Sequence, residues 1–121
     1  MATITPTISS LPTFGNTSVH VYSWTPMTFS GPDVGAPIEM PGSADRTVQV
    51  TGTPGTGGSV RIEGSMDGVT YAVLSDPQGN ALDITTAKIE TIMELVRYIR
   101  PRITAGDGST SLTVQILMRR S

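Results

Sequence analysis

The chain has 121 residues, of which 37% are hydrophobic and 15% are charged, and its formal net charge is −2. This composition predicts one folded domain rather than a disordered chain, and the weak negative charge argues against nucleic acid as a partner. Cysteine is absent, which excludes disulfide bonds and thiolate chemistry.

The amino-terminal residues carry neither the basic segment nor the apolar run of a secretory signal. No apolar run approaches the roughly 20 residues needed to span a bilayer. We therefore expect a soluble protein that is made in the cytoplasm of its producer and has no membrane partner.

Residues 1–17 are rich in Thr, Ser and Pro and carry regularly spaced apolar residues. Pro6 and Pro12 favour extended backbone in the residues before them. The segment predicts an extended arm, either a frayed tail or one whose apolar residues dock on the chain's own surface or on a neighbouring subunit. The candidate arm anchors are Ile4, Ile8, Leu11 and Phe14.

Residues 18–121 are predicted to form a single β-domain that begins with a strand over 18–24. Alternation places Val19 and Val21 on one face of this strand, and His20, Tyr22 and Trp24 on the other. Pro26 is expected to end it. We consider Tyr22 and Trp24 as aromatic contact residues, with core packing as the alternative for Trp24.

Two hairpins are predicted further along the chain. Residues 46–51 and 59–63 alternate apolar and polar side chains on either side of a glycine-rich loop, as do residues 97–104 and 111–118. A short strand is expected near residue 38, and turns at 67–68 and 76–80. Residues 84–96 are ambiguous between extended structure, which the β-rich surroundings favour, and a short helix near 86–96.

No arrangement of residues singles out a catalytic site. His20, the only histidine, would have to serve any Ser-His-Asp triad, but it lies within a predicted strand beside bulky residues. The aspartates lie in or near turns, where they bond their own backbone, although two such loops could also build a Ca²⁺ site. We predict no enzyme, no cofactor and no metal.

Arginines give the carboxy-terminal strands a basic outer side. Arg100 and Arg102 alternate with the apolar residues of 97–104, so we expect them to point outward. Such a face is either solvated or contacts carboxylates across a subunit boundary, to which arginine is suited.

Two segments resemble known motifs. Residues 60–74, Val-Arg-Ile-Glu-Gly-Ser-Met-Asp-Gly-Val-Thr-Tyr-Ala-Val-Leu, resemble the strand–S-x-DG-x-x-W/Y–strand unit of galactose-binding-like, discoidin-type β-sandwiches. Residues 97–104, Arg-Tyr-Ile-Arg-Pro-Arg-Ile-Thr, resemble the RYIRxRxT strand near the end of those domains. With the segments 76–82 and 106–112, the pattern over about 46–120 is most similar to small capsid decoration (cement) proteins of tailed bacteriophages. Tyr71 stands where the sugar-binding relatives often carry Trp.

The resemblance implies an all-β, jelly-roll-like antiparallel sandwich that binds the major capsid protein on the outside of a phage head. It implies a virion location and a homo-oligomer, dimer or trimer. The alternative function is a carbohydrate-binding module of a head or tail fibre, for which Tyr71, Phe14 and Phe29 are the available aromatic residues.

Overall fold

The computed structural model describes residues 3–11, 19–29, 31–39, 45–94 and 96–119. All the regular structure in these ranges is β-strand, and no helix occurs in them. The strands are β1 (Thr3–Ile4), β2 (Thr7–Leu11), β3 (Val19–Thr28), β4 (Val34–Gly35), β5 (Ile38–Glu39), β6 (Asp45–Thr53), β7 (Ser59–Ser65), β8 (Ala72–Val73), β9 (Asp83–Ile84), β10 (Lys88–Thr91), β11 (Tyr98–Ala105) and β12 (Ser111–Arg119).

The strands form two sheets, which confirms the predicted all-β sandwich. The seven-stranded sheet has the order β1-β4-β11-β7-β8, with β5 also paired to β11 and β9 also paired to β7. The five-stranded sheet has the order β10-β6-β12-β3-β2. Among the described strand pairs, only β1 and β4 run parallel.

The core lies between the sheets and follows the period-two pattern of the sequence. In β12, alternate residues from Leu112 to Met118 are at most 4% exposed, and the same alternation buries Val48 and Val50 of β6. The seven-stranded sheet contributes a matching apolar layer. Its central strands bury Val60, Ile62, Ile99 and Ile103. Removing these side chains from water is the main favourable contribution to the fold.

Both predicted hairpins are wrong. Strands β11 and β12 belong to different sheets, and so do β6 and β7. Each connection therefore forms an arch, in which the two strands face each other across the core without hydrogen-bonding. Alternation specifies which side of a strand is buried, and an arch buries that side as well as a hairpin does.

The two arch loops, 54–58 and 106–110, contact each other at one end of the sandwich. The backbone N–H of Thr56 donates to Oδ2 of Asp107 at 2.9 Å, and Oγ1 of Thr110 donates to the carbonyl oxygen of Pro54 at 2.7 Å. Gly55 has a φ of +70°, and a Cβ there would overlap the Asp107 carboxylate. The chain therefore needs glycine at this crossing.

The short helix considered for 86–96 is not formed. Residues 88–91 pair with β6 as an edge strand instead, which confirms extended structure for that part. A helix would place Ile89, Ile92 and Met93 on one face, but Ile92 is buried whereas Ile89 and Met93 are 61% and 59% exposed. The sheet edge supplies backbone partners that an isolated helical turn cannot match.

Pro26 does not end the first long strand, because β3 continues to Thr28. The pairing of β3 with β12 shifts register here, where Trp24 lies opposite Val114 and Met27 opposite Leu112. A bulge tolerates proline since the ladder needs no donor from the extra residue.

The predicted arm is extended where it is described, and it pairs with its own chain. Strand β1 lies beside β4 of the seven-stranded sheet, and β2 lies beside β3 of the five-stranded sheet. The first residues therefore contact both layers of the sandwich. Docking of this segment on a neighbouring subunit stays a prediction.

Candidate functional site

The outer face of the seven-stranded sheet carries a cluster formed by Glu63, Arg100 and Arg102. Strands β7 and β11 pair with Arg100 opposite Glu63, which places the polar residues of both strands on the outside. The Nε of Arg100 lies 3.1 Å from Oε1 of Glu63, and the Nε of Arg102 lies 2.9 Å from Oε2. We call these three residues the arginine cluster.

The carboxylate at the centre of the arginine cluster is almost completely covered. The Glu63 side chain is 5% exposed, whereas those of Arg100 and Arg102 are 24% and 36% exposed. Two guanidinium groups share one carboxylate, so the cluster has an excess of one positive charge. Each arginine uses Nε on Glu63, and no described hydrogen bond uses its terminal amino nitrogens. Those nitrogens can donate to a further anion.

Tyr71 covers one side of the arginine cluster. The guanidinium carbon of Arg100 lies 3.7 Å from the centroid of the Tyr71 ring, a cation–π contact. Burial raises the pKa of the Tyr71 hydroxyl, and its buried oxygen has no hydrogen-bond partner in the structure. One face of this ring is therefore already occupied by the protein itself.

Two more exposed ion pairs flank the arginine cluster. Arg61 donates to both carboxylate oxygens of Asp83 at 3.1 and 3.0 Å, and Arg97 donates to Glu39 at 2.9 Å. These hydrogen bonds to carboxylates raise the pKa of each arginine. The outer face of this sheet is consequently rich in charge that is mostly paired within the chain.

The outer face of the five-stranded sheet is different in chemistry. A groove of about 360 Å³ crosses it, and the residues that line the groove are uncharged: Val21, Thr47, Gln49, Ile89, Gln115 and Leu117. Strand pairing aligns them in two rows, with Val21 opposite Leu117 in one and Gln49 opposite Gln115 in the other. Aliphatic carbons and amide groups are both available to a partner here.

The predicted contact residues fall into different environments. Trp24 is fully buried and its indole Nε1 donates to the carbonyl oxygen of Ala36 at 3.1 Å, so the core alternative holds and a contact role for Trp24 is wrong. Tyr22 is half-buried against the core. Both point inward because β3 turns the face with His20, Tyr22 and Trp24 toward the other sheet.

The arm anchors also differ from one another. Ile4 packs against the core of its own domain, whereas Ile8 is 62% exposed on the edge strand β2. The backbone of Leu11 ends β2, and Phe14 lies outside the described residues. Among the anchors whose side chains are described, Ile8 has the surface available for a partner.

Asp67, Asp76 and Asp107 bond the backbone of their own turns, as predicted, whereas Asp83 lies in β9 and accepts from Arg61 instead. Asp67 accepts from the N–H groups of Val69 and Thr70 at 2.8 Å each, and these bonds lower its pKa from 3.8 to about 2. Hydrogen bonds from Asn80 lower the pKa of Asp76, and those from Ser109 that of Asp107. The described residues contain no group of three or more His, Asp or Glu placed to hold a metal ion.

Two features of the site do not follow from the sequence. The sequence places Glu63 in a different predicted hairpin from Arg100 and Arg102, and only the pairing of β7 with β11 brings them together. The uncharged groove is the second feature, although alternation in 111–118 places Leu117 on the side opposite the core residues. An aliphatic residue at an outward position is the signal that would have indicated it.

Comparisons of the chain with protein-family models, with curated proteins and with solved structures found no match. Within the part of the chain that the structure covers, no helix is long and apolar enough to cross a membrane.

Proposed function

We propose that this protein is a structural virion protein that decorates the outside of a phage head and stabilises the shell. The observation that carries the proposal is the arginine cluster, which presents two guanidinium groups at an exposed, otherwise well-paired sheet face. The major capsid protein would supply carboxylates to the terminal nitrogens of Arg100 and Arg102. Arginine is suited to this contact because its planar fork binds a carboxylate at two points.

The location of the two resembling segments supports this proposal. Residues 60–74 form β7, a turn and β8, and residues 97–104 form most of β11, which pairs with β7. The segments that are similar to decoration proteins thus build the strands that carry the arginine cluster. A subunit that binds only the assembled shell stabilises that shell by mass action.

Co-sedimentation with expanded heads that lack decoration tests the proposal. We expect saturable binding of the wild-type protein, and at least about tenfold weaker binding of the Arg102→Gln variant, because a charge-assisted contact is lost. Arg61→Gln is the matched control, since its side chain is 34% exposed on the same face, against 36% for Arg102. It changes the net charge equally and should weaken binding by less than about threefold.

Absence of wild-type binding to such heads would refute the decoration function. Equal losses for Arg102→Gln and Arg61→Gln would instead remove the arginine cluster from the interface and leave only a general charge effect. Circular dichroism of each variant shows whether its fold is intact before binding is compared.

Carbohydrate binding is the second candidate, and the position of Tyr71 beside Glu63 and Arg100 favours it. Aromatic rings beside charged hydrogen-bonding groups are suited to sugars, but Arg100 already stacks on one face of Tyr71. A titration with saccharides separates the two functions, since decoration requires no response to sugar. The capsid contact therefore remains the preferred proposal.

A further inference from the structure

Strand β10 is an open edge of the five-stranded sheet. It pairs with β6 on one side, and the order β10-β6-β12-β3-β2 places no described strand on its other side. The N–H of Ile92 donates to the carbonyl oxygen of Arg46 at 3.0 Å, so Ile92 and Arg46 form a hydrogen-bonded pair of this antiparallel ladder. Because bonded and non-bonded pairs alternate, Lys88 and Glu90 exchange backbone bonds with β6. Ile89 and Thr91 therefore direct their backbone groups to the open side.

The open edge has limited protection: β10 is four residues long, and its two charged residues, Lys88 and Glu90, lie opposite the buried Val50 and Val48 of β6. The open stretch ends at Met93, whose N–H donates to the carbonyl oxygen of Ser75 at 2.8 Å. Ile89 is 61% exposed and also lines the uncharged groove, and Met93 just beyond the strand is 59% exposed. Lys88 and Glu90 flank Ile89, and their side chains lie 3.5 Å apart. An exposed edge that combines free backbone groups with apolar side chains is a template for another strand.

We propose that the occupant of this edge is β10 of a second copy of the chain, antiparallel, with a two-fold axis at Ile89. This register places Ile89 opposite Ile89, and their outward backbone groups exchange two hydrogen bonds. It also places Lys88 of each copy opposite Glu90 of the other, in a non-bonded pair, where side chains approach most closely. Thr91 of each copy lies opposite Ala87 of the other, and these two residues also exchange backbone hydrogen bonds.

The charges on β10 select this register over its neighbours. A two-fold axis at Lys88 would oppose the two lysines, and an axis at Glu90 would oppose the two glutamates, both of which are destabilising. Of these three axes, the one at Ile89 is complementary in charge and matches the outward backbone groups of the two strands. The two five-stranded sheets then form one continuous sheet, and the two uncharged grooves meet at Ile89.

This inference goes beyond the proposed function, because it follows from the edge alone and is tested without phage heads. Sedimentation equilibrium over a concentration series should give a monomer–dimer equilibrium for the wild-type protein. Lys88→Glu and Glu90→Lys should each raise the dissociation constant at least about tenfold, since each sets like charges opposite each other. An equimolar mixture of the two variants should dimerise again, because the acidic edge of one faces the basic edge of the other.

The backbone bonds are tested separately with Ile89→Pro. Proline removes the outward N–H, which β6 does not use, so dimerisation should be lost while circular dichroism keeps the β-spectrum. Ile89→Val is the matched control, since it keeps the N–H and should dimerise within about fivefold of wild type. A wild-type protein that stays monomeric, charge variants that dimerise unchanged, or a mixture that does not recover would each overturn the proposal.

Discussion

The two outer faces of the sandwich organise polarity in opposite ways. The face of the seven-stranded sheet carries the arginine cluster and the flanking Arg61–Asp83 and Arg97–Glu39 pairs, whereas the groove of the five-stranded sheet is lined by uncharged residues. One fold can therefore present a surface that responds to pH and salt and another that does not. We therefore expect substitutions on the two faces to differ in how their effects depend on pH and salt.

The largest effect is expected for the carboxylate at the centre of the arginine cluster. Glu63→Gln should lower the free energy of unfolding by about 2–3 kcal/mol, because two partly buried guanidinium groups lose their shared counter-charge. Denaturant unfolding measures the change.

The reverse exchange, glutamine to glutamate, on the other face is the control for this experiment. Gln49→Glu adds a charge to the groove of the five-stranded sheet and should change the unfolding free energy by no more than about 0.5 kcal/mol, since this side chain is only half-buried. Equal effects of the two substitutions would remove the distinction between the faces.

An intermediate effect is expected from pH, and it belongs to the charged side of the molecule. Asp67 follows β7, and its pKa falls from 3.8 to about 2 on folding, because the folded state stabilises the carboxylate. A lowered pKa contributes stability that is fully present above pH 3.8 and is lost as the pH falls toward 2. The stability difference between wild type and Asp67→Asn should therefore shrink over this window, as measured by denaturant unfolding at each pH.

Substitution of the groove residue Gln49 by Ala provides the comparison for the pH experiment. No titratable group lines the groove, so the effect of this substitution should stay constant over the same pH range. A stability difference for Asp67→Asn that grows as the pH falls would contradict the lowered pKa of Asp67.

The smallest effect is expected for an exposed ion pair of the charged face. Arg61→Gln should cost less than about 1 kcal/mol of unfolding free energy, because Arg61 and Asp83 are 34% and 37% exposed. The cost should disappear in about 1 M salt, which screens exposed charges. A cost that persists in salt would mean that Arg61 stabilises the sheet through packing of its aliphatic chain.

The sequence is sufficient to predict a turn and the buried face of β12. The alternation of Val114 and Ile116 with Gln115 correctly indicates the buried face of β12. Asp67 correctly indicates the turn after β7. Both features depend only on residues that are neighbours along the chain. The extended alternative for the ambiguous segment was correct at Lys88–Thr91, where partner strand and propensity agree.

Sequence reasoning failed where pairing between distant segments decides the outcome. The burial of Glu63 depends on β11, 37 residues further along at Arg100, and alternation within either strand carries no information about that partner. The same reason explains the hairpins that proved to be arches. Trp24 had two open alternatives because its own residue type suits a core and an interface equally.

The central position of β12 in its sheet has a consequence for the synthesis of the protein. In the described part of the five-stranded sheet, β12 lies between β3 and β6 and joins them, and it begins at Ser111. On the ribosome, a nascent chain that has not yet released residues 111–119 cannot close this sheet, so its apolar inner face stays open to chaperones. Folding is therefore expected to follow translation of these residues, and a chain shortened before them should be a target for proteases.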